Sequence, residues 1–234
     1  QDLWQRVMET NPSLAPDPEH PVQRVTWPEA QAFVKHFSEV VPGFEARLPT
    51  EAEWEHAARA GENGAWIGPR GLVLRSDVQQ ISWFRGSTEN NFGSHASGRR
   101  QPNGIGMQDM QGNVWEWCAD RYGVYSPVPV VDPLGFESEL RVARGGSWGD
   151  PAEQVRVSNR VALPPEMRSS FLGFRLAAEA ALPPEVRIGN GQDEEFFEDP
   201  TPPPMAPPDI VMVRITQGNT SAIAASDSTP SRPI

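Results

Sequence analysis

Gly112-Asn113-Val114-Trp115-Glu116-Trp117 decides how this chain is read: a Gly-Asn turn runs straight into two indoles that bracket a carboxylate. Residues two apart in a strand share a face, so Trp115 and Trp117 make one aromatic wall while Glu116 turns the other way. The wall either lines a groove or packs in the core beneath the loops. Three more blocks stand in order around it. Arg47-Leu48-Pro49-Thr50-Glu51-Ala52-Glu53-Trp54-Glu55 lies upstream, Arg144-Gly145-Gly146-Ser147-Trp148 downstream, and Gly173-Phe174-Arg175-Leu176 closes the ordered-looking region.

Working outward, Thr26-Trp27-Pro28-Glu29 is a capping box followed by Ala30, Phe33, Val34 and Phe37 at helical spacing, which predicts a helix over 27–40 stopped by Pro42-Gly43. Thr50-Glu51-Ala52-Glu53 is a second box and opens a helix ending before Gly61; a short earlier helix runs from Leu3 to Met8. Between Gly61 and Gly112 the periodicity fades, and packed tryptophans, ions or tight turns must organise the segment. Short strands are expected over 113–118, 141–143, 155–160 and 171–177. Helices early and strands late predict an α+β fold.

After Ala181 the composition changes. Pro183-Pro184, the acidic run 193–199, Pro202-Pro203-Pro204 and Pro207-Pro208 read as a linker and tail, with one strand candidate over 210–215. The expected division is therefore a domain over 1–181 and a Pro-rich acidic tail over 182–234.

The net charge of -11, from 20 basic and 31 acidic residues, argues against nucleic acid or anionic lipid as a partner. No apolar run is long enough to span a bilayer. Cys118 is the single cysteine, which rules out an intrachain disulfide and any thiolate pair for zinc or copper. His20, His36, His56 and His95 are scattered and form no close pair.

The four blocks resemble the formylglycine-generating enzyme and sulfatase-modifying factor family over roughly residues 1–178. The resemblance implies a variant of the C-type lectin-like fold, with little regular secondary structure, two helices on a twisted sheet and long loops held by calcium. It also implies that the domain is N-terminally incomplete in this chain. In formylglycine generators two copper-binding cysteines follow the serine of the Arg-Gly-Gly-Ser block by three and eight residues; here those positions hold Asp150 and Val155. A carboxylate and an isopropyl group cannot replace soft sulfur for Cu(I), so no copper is expected.

The resemblance places a structural calcium at Gln111, Gly112, Val114 and Glu116, a mixture of backbone and side-chain oxygens that suits the ion. The alternative is that Glu116 accepts hydrogen bonds from backbone or tryptophan without a metal. Asn90, Asn91 and Phe92 mark a second such loop. The ligand groove of the family maps onto Ser147, Trp148, Asp150, Arg156, Asn159 and Arg160, with Glu153 and Arg168 in the same segment. Arg47 and Arg175 are read as buried and paired, with Glu51, Glu53 and Glu55 as partners. No catalytic residue is identified. The leading expectation is a noncatalytic binding or scaffold domain presenting a loop-built groove to a protein or small polar ligand. The competing readings are an oxidoreductase-type modifying enzyme that draws on a metal or an upstream domain, and a retroelement-diversified variable ligand-binding protein.

Overall fold

The computed structural model describes residues 1–41, 45–87, 92–125, 138–179, 210–216 and 219–224. Helix α1 spans Asp2–Met8, α2 Trp27–Val40 and α3 Glu51–Arg59. Both capping boxes close. The Glu29 carboxylate accepts from the Thr26 N–H at 2.9 Å while Thr26 Oγ1 accepts from the Glu29 N–H at 3.3 Å, and Thr50 and Glu53 repeat the exchange at 2.8 and 3.2 Å. Each such cap contributes about 1 kcal/mol. Pro42 and Gly43, expected to stop α2, lie outside the described residues, as do Asn90 and Asn91.

The central sheet has the order β6-β5-β4-β7, built from β4 (Trp115–Arg121), β5 (Arg141–Arg144), β6 (Arg160–Leu163) and β7 (Leu172–Phe174). Strand β4 runs antiparallel to β5 and parallel to β7, with Trp117 opposite Ala143 and Phe174. Side-chain alternation gives this sheet a core on each face. Trp117 packs with Trp4, Phe33, Phe37 and Leu172 beneath α1 and α2, where the Trp4 and Phe33 rings stack at 5.2 Å. Cys118 packs with Trp54, Met107, Met110 and Val142 beneath α3.

Strands β1 (Ala46–Arg47), β8 (Leu176–Glu179), β9 (Ile210–Thr216) and β10 (Asn219–Ala224) form a second sheet in the order β1-β8-β9-β10. The strand candidate over 210–215 thus pairs with the body of the protein. The proline and acidic runs over 183–208 lie outside the described residues. Strands β2 (Ile67–Gly68) and β3 (Gly71–Leu72) make a small hairpin within the long irregular segment.

Three strand expectations are corrected. The strand drawn over 113–118 starts at Trp115, because Asn113 is left-handed, and runs on to Arg121. No strand covers 155–159: a 3-10 turn at Ala152–Gln154 and a turn closed by the Asn159 N–H on Arg156 O hold Val155 and Val157 in the core, so their alternation reports burial in a loop. The strand drawn over 171–177 is broken at Arg175, which leaves one sheet and enters the other.

Candidate functional site

The site begins at the Gly-Asn turn. Gly112 and Asn113 have φ of +83° and +66°, the left-handed region that these two residue types tolerate best. A Cβ on Gly112 would run into the Trp83 carbonyl oxygen and Ser82 Oγ, so only glycine fits. The turn gathers distant segments: Gly112 N–H donates to Gly145 O at 2.8 Å, Asn113 N–H to Trp83 O at 2.8 Å, and Trp148 N–H to Asn113 O at 2.9 Å. The Asn113 side chain brackets the His95 backbone, accepting from its N–H at 3.0 Å and donating to its carbonyl at 3.1 Å.

Beyond the turn the two tryptophans divide. Trp117 is fully buried and its indole N–H donates to Val25 O at 2.9 Å, which assigns it to the core. Trp115 is half-buried and its indole N–H donates to Asp150 Oδ2 at 2.8 Å, which assigns it to the edge of the downstream block.

Glu116 faces away from both. Its carboxylate accepts from Arg175 Nε at 2.5 Å and Nη2 at 2.6 Å, and from the Trp54 indole N–H at 2.6 Å. Burial alone would pull the Arg175 guanidinium down, but the Glu116 charge outweighs it and holds the guanidinium above its usual range. The Gln111 amide is also engaged, accepting from Ile67 N–H at 3.1 Å and donating to Ile67 O at 2.7 Å. Glu116 thus accepts from an indole and an arginine, as its metal-free alternative requires, and these bonds leave lone pairs on the Glu116 and Gln111 oxygens. Phe92, expected in a second calcium loop, is 97% exposed.

The six residues expected to line one groove fall into separate places. Ser147 is buried, and its N–H and Oγ–H both donate to Asp150 Oδ2, at 2.9 and 2.6 Å, beside the Trp115 bond. Trp148 is half-buried, donates to Ser170 O at 3.3 Å, and lies against the Phe171 ring with centroids 4.5 Å apart. Ser147, Trp148 and Asp150 thus stay together. Arg156 is exposed, and the Asn159 amide is turned onto Gln154.

Arg160 belongs to another cluster. It makes a two-point ion pair with Glu51, Nε 2.7 Å from Oε1 and Nη2 2.5 Å from Oε2, and its guanidinium lies 4.3 and 4.2 Å from the Tyr122 and Tyr125 ring centres. These contacts, with its bond to Gly123 O, commit the guanidinium within the protein. Of the flanking charges, Glu153 pairs with Arg75 and Arg168 with Glu29. Arg47 pairs with Glu53 among the expected carboxylates, but Arg175 takes Glu116 instead of any of them.

Fully buried Arg144 ties these parts together, bonding Glu55 and donating to Asn159 O at 2.6 Å. Cys118 lies among these charges with its thiol pushed well above its usual range by burial, so it supplies no thiolate.

Two contributors were not identified from sequence. Phe171, 38% exposed, covers the Cβ position of Gly149, and Arg85, exposed, donates to Gly149 O at 2.8 Å. An aromatic just before the buried Leu172 was the available signal for Phe171; Arg85 had none. The result is a ledge of Trp148 and Phe171 with Asp150 and Arg85 at its border.

The profile of the "Sulfatase-modifying factor enzyme 1-like domain" matches residues 1–180. The chain is 35% identical over 193 residues to a formylglycine-generating enzyme of Streptomyces coelicolor, covering 76% of this chain and 59% of that protein. It is 32% identical over 193 residues to the inactive C-alpha-formylglycine-generating enzyme 2 of Bos taurus, covering 78% and 58%. It thus spans about three fifths of the length of these curated relatives. Among solved structures it superposes on Treponema denticola variable protein 1 with a TM-score of 0.67 and 30% identity, over 75% of this chain and 80% of that one.

Proposed function

Because this chain belongs to the sulfatase-modifying factor enzyme 1-like family, we propose that it is a noncatalytic binding domain of that family, presenting the Trp148–Phe171 ledge to a protein or small polar ligand. The observation that carries the reading is the state of Asp150. It stands where the resemblance to formylglycine generators calls for a cysteine, and its Oδ2 is held by Ser147 and Trp115. Val155, at the second such position, is a fully buried apolar side chain. The one thiol, Cys118, sits on the opposite sheet face from Trp115 with its ionisation suppressed. A thiolate-bound Cu(I) needs paired soft sulfur donors, and these residues offer none. The likeness to a relative named as inactive supports the same reading.

Full-length protein incubated with Cu(I) and a cysteine-containing peptide tests the proposal, followed by metal analysis after desalting and by mass spectrometry of the peptide. Copper below stoichiometry and an unchanged peptide are expected. One equivalent of retained copper with turnover of the peptide cysteine would overturn it.

A further inference from the structure

Strands β4 and β5 do not keep one register. Glu116 faces Arg144 and Trp117 faces Ala143, but the next pair is Arg121 with Arg141, so four residue steps along β4 span two along β5. Continuing the first register would set Arg121 opposite Glu139, an attractive cross-strand pair. The fold forgoes that pair and opposes two arginines, which is destabilising while no counter-charge stands between them.

The irregularity is held in place. The Trp27 indole N–H donates to Cys118 O at 2.8 Å and Arg141 Nη1 donates to Ala119 O at 2.8 Å, so the carbonyls of the shifted segment are taken. The Arg141 guanidinium lies 3.6 Å from the centre of the Trp27 ring. A bulge re-aims a side chain, and the one re-aimed here is Arg121. Directly opposed strand residues share a face, so Arg121, which is exposed, stands beside Arg141 on the α2 side of the sheet, its Nη1 donating to Ser138 O at 3.2 Å.

Burial lowers the Arg141 guanidinium from its ordinary range and the Arg121 charge lowers it further, while Asp120 and Glu139 act the other way. Asp120 lies on the α3 side, where it accepts the Glu51 N–H, and Glu139 is exposed. Among the described residues neither arginine has a carboxylate within ion-pair distance. Each is steadied through Nη1 by a backbone carbonyl, and Nε and Nη2 of both make no hydrogen bond among the described residues. An Nε–Nη2 edge is the fork that meets two oxygens of an oxyanion.

We infer that Arg121 and Arg141 form a binding site for one tetrahedral dianion, phosphate or sulfate, either free or carried as an ester on a larger ligand. The ion supplies the counter-charge that the shifted register withholds, and the two forks hold it from two sides. The site stands at the end of β4 away from Trp115 and the ledge, so it is independent of the binding reading above. Two arginines suit a single dianion and fall short of what a nucleic acid requires, against which the net charge of -11 also stands.

The test is equilibrium dialysis of the full chain against labelled inorganic phosphate at pH 8 and fixed ionic strength. One saturable equivalent is expected. Arg121→Gln, at an exposed position, should weaken binding by about tenfold, and Arg121→Lys, which keeps the charge without the fork, should weaken it less. Arg121→Glu should abolish binding and, by placing opposite charges face to face, should melt higher than wild type in chloride buffer. No saturable binding, or undiminished binding in Arg121→Glu, would overturn the site; a lower melting temperature for Arg121→Glu would remove the repulsion on which it rests. Phenyl phosphate separates the two sources of the ion. Displacement of inorganic phosphate by it supports a site open to an ester on a larger ligand, and failure to displace supports a site for the free ion.

Discussion

Arg175 closes on Glu116 in a two-point ion pair, Nε 2.5 Å from Oε2 and Nη2 2.6 Å from Oε1, and both side chains are largely withdrawn from solvent. With Trp54 as a third member, the pair joins strand β4, helix α3 and the junction of the two sheets. It links three of the four sequence blocks through one carboxylate.

Breaking that pair from either side should be costly. Arg175→Met or Glu116→Gln leaves one buried polar group without its counter-charge and is expected to destabilise the protein by about 3–5 kcal/mol. The double variant Glu116→Gln/Arg175→Met should lose less than the sum of the single variants. Urea unfolding of the four proteins measures the coupling; additive losses would show that the pair does not act as a unit.

The core tryptophan and the ledge tryptophan can be separated by truncation. Trp117→Ala empties a fully buried site and should cost about 3–5 kcal/mol. Trp148→Ala, at a half-buried position on the ledge, should cost under about half of that while weakening ligand capture. Thermal melts of both variants decide it, and equal losses would place Trp148 in the core.

Asp120 makes stability depend on pH. Its Oδ2 accepts the Glu51 N–H at 2.6 Å, yet burial, with Glu51 and Glu53 nearby, pushes its carboxyl up to about 6. A folded-state value above the unfolded one means that the folded chain holds a proton the unfolded chain has released. The contribution of Asp120 is thus greatest below about pH 4 and declines as the pH rises to about 6. Asp120→Asn keeps an oxygen acceptor for the Glu51 N–H and removes the charge. It should match wild type near pH 4 and exceed it by about 1 kcal/mol above pH 7, after allowance for solvent screening. Urea midpoints across this range are the measurement, and identical pH profiles would refute the assignment.

Cys118 should resist modification. Burial raises its thiol well above the usual range and closes it to reagents. Iodoacetamide at pH 8 is expected to leave the folded chain unlabelled and to add one label in denaturant, read by intact mass. Rapid labelling of the folded protein would show the thiol to be accessible.

Local signals in the sequence carried the helices. The Thr26 and Thr50 boxes and the spacing of Ala30, Phe33, Val34 and Phe37 fix α2 and α3, because caps and helical periodicity involve neighbours within a turn. Strand limits were less legible at 155–160. There the alternation of Val155 and Val157 arises from burial in a loop, a pattern that a strand shares. Of the residues mapped onto the groove, Ser147, Trp148 and Asp150 meet within one turn, whereas Arg160 leaves for Glu51, a partner no spacing rule could select.

By itself the sequence determined the α+β class, the family, and the absence of a cysteine pair, since these depend on residue identity and short-range pattern. Only the tertiary structure decided that Glu116 answers to Arg175, that Trp117 is core while Trp115 borders the ledge, and that β9 closes the sheet at β8. The reason is physical. Buried charges and open strand edges must find partners, and the choice among chemically equivalent candidates is made by which distant segments the packed core brings within hydrogen-bonding distance.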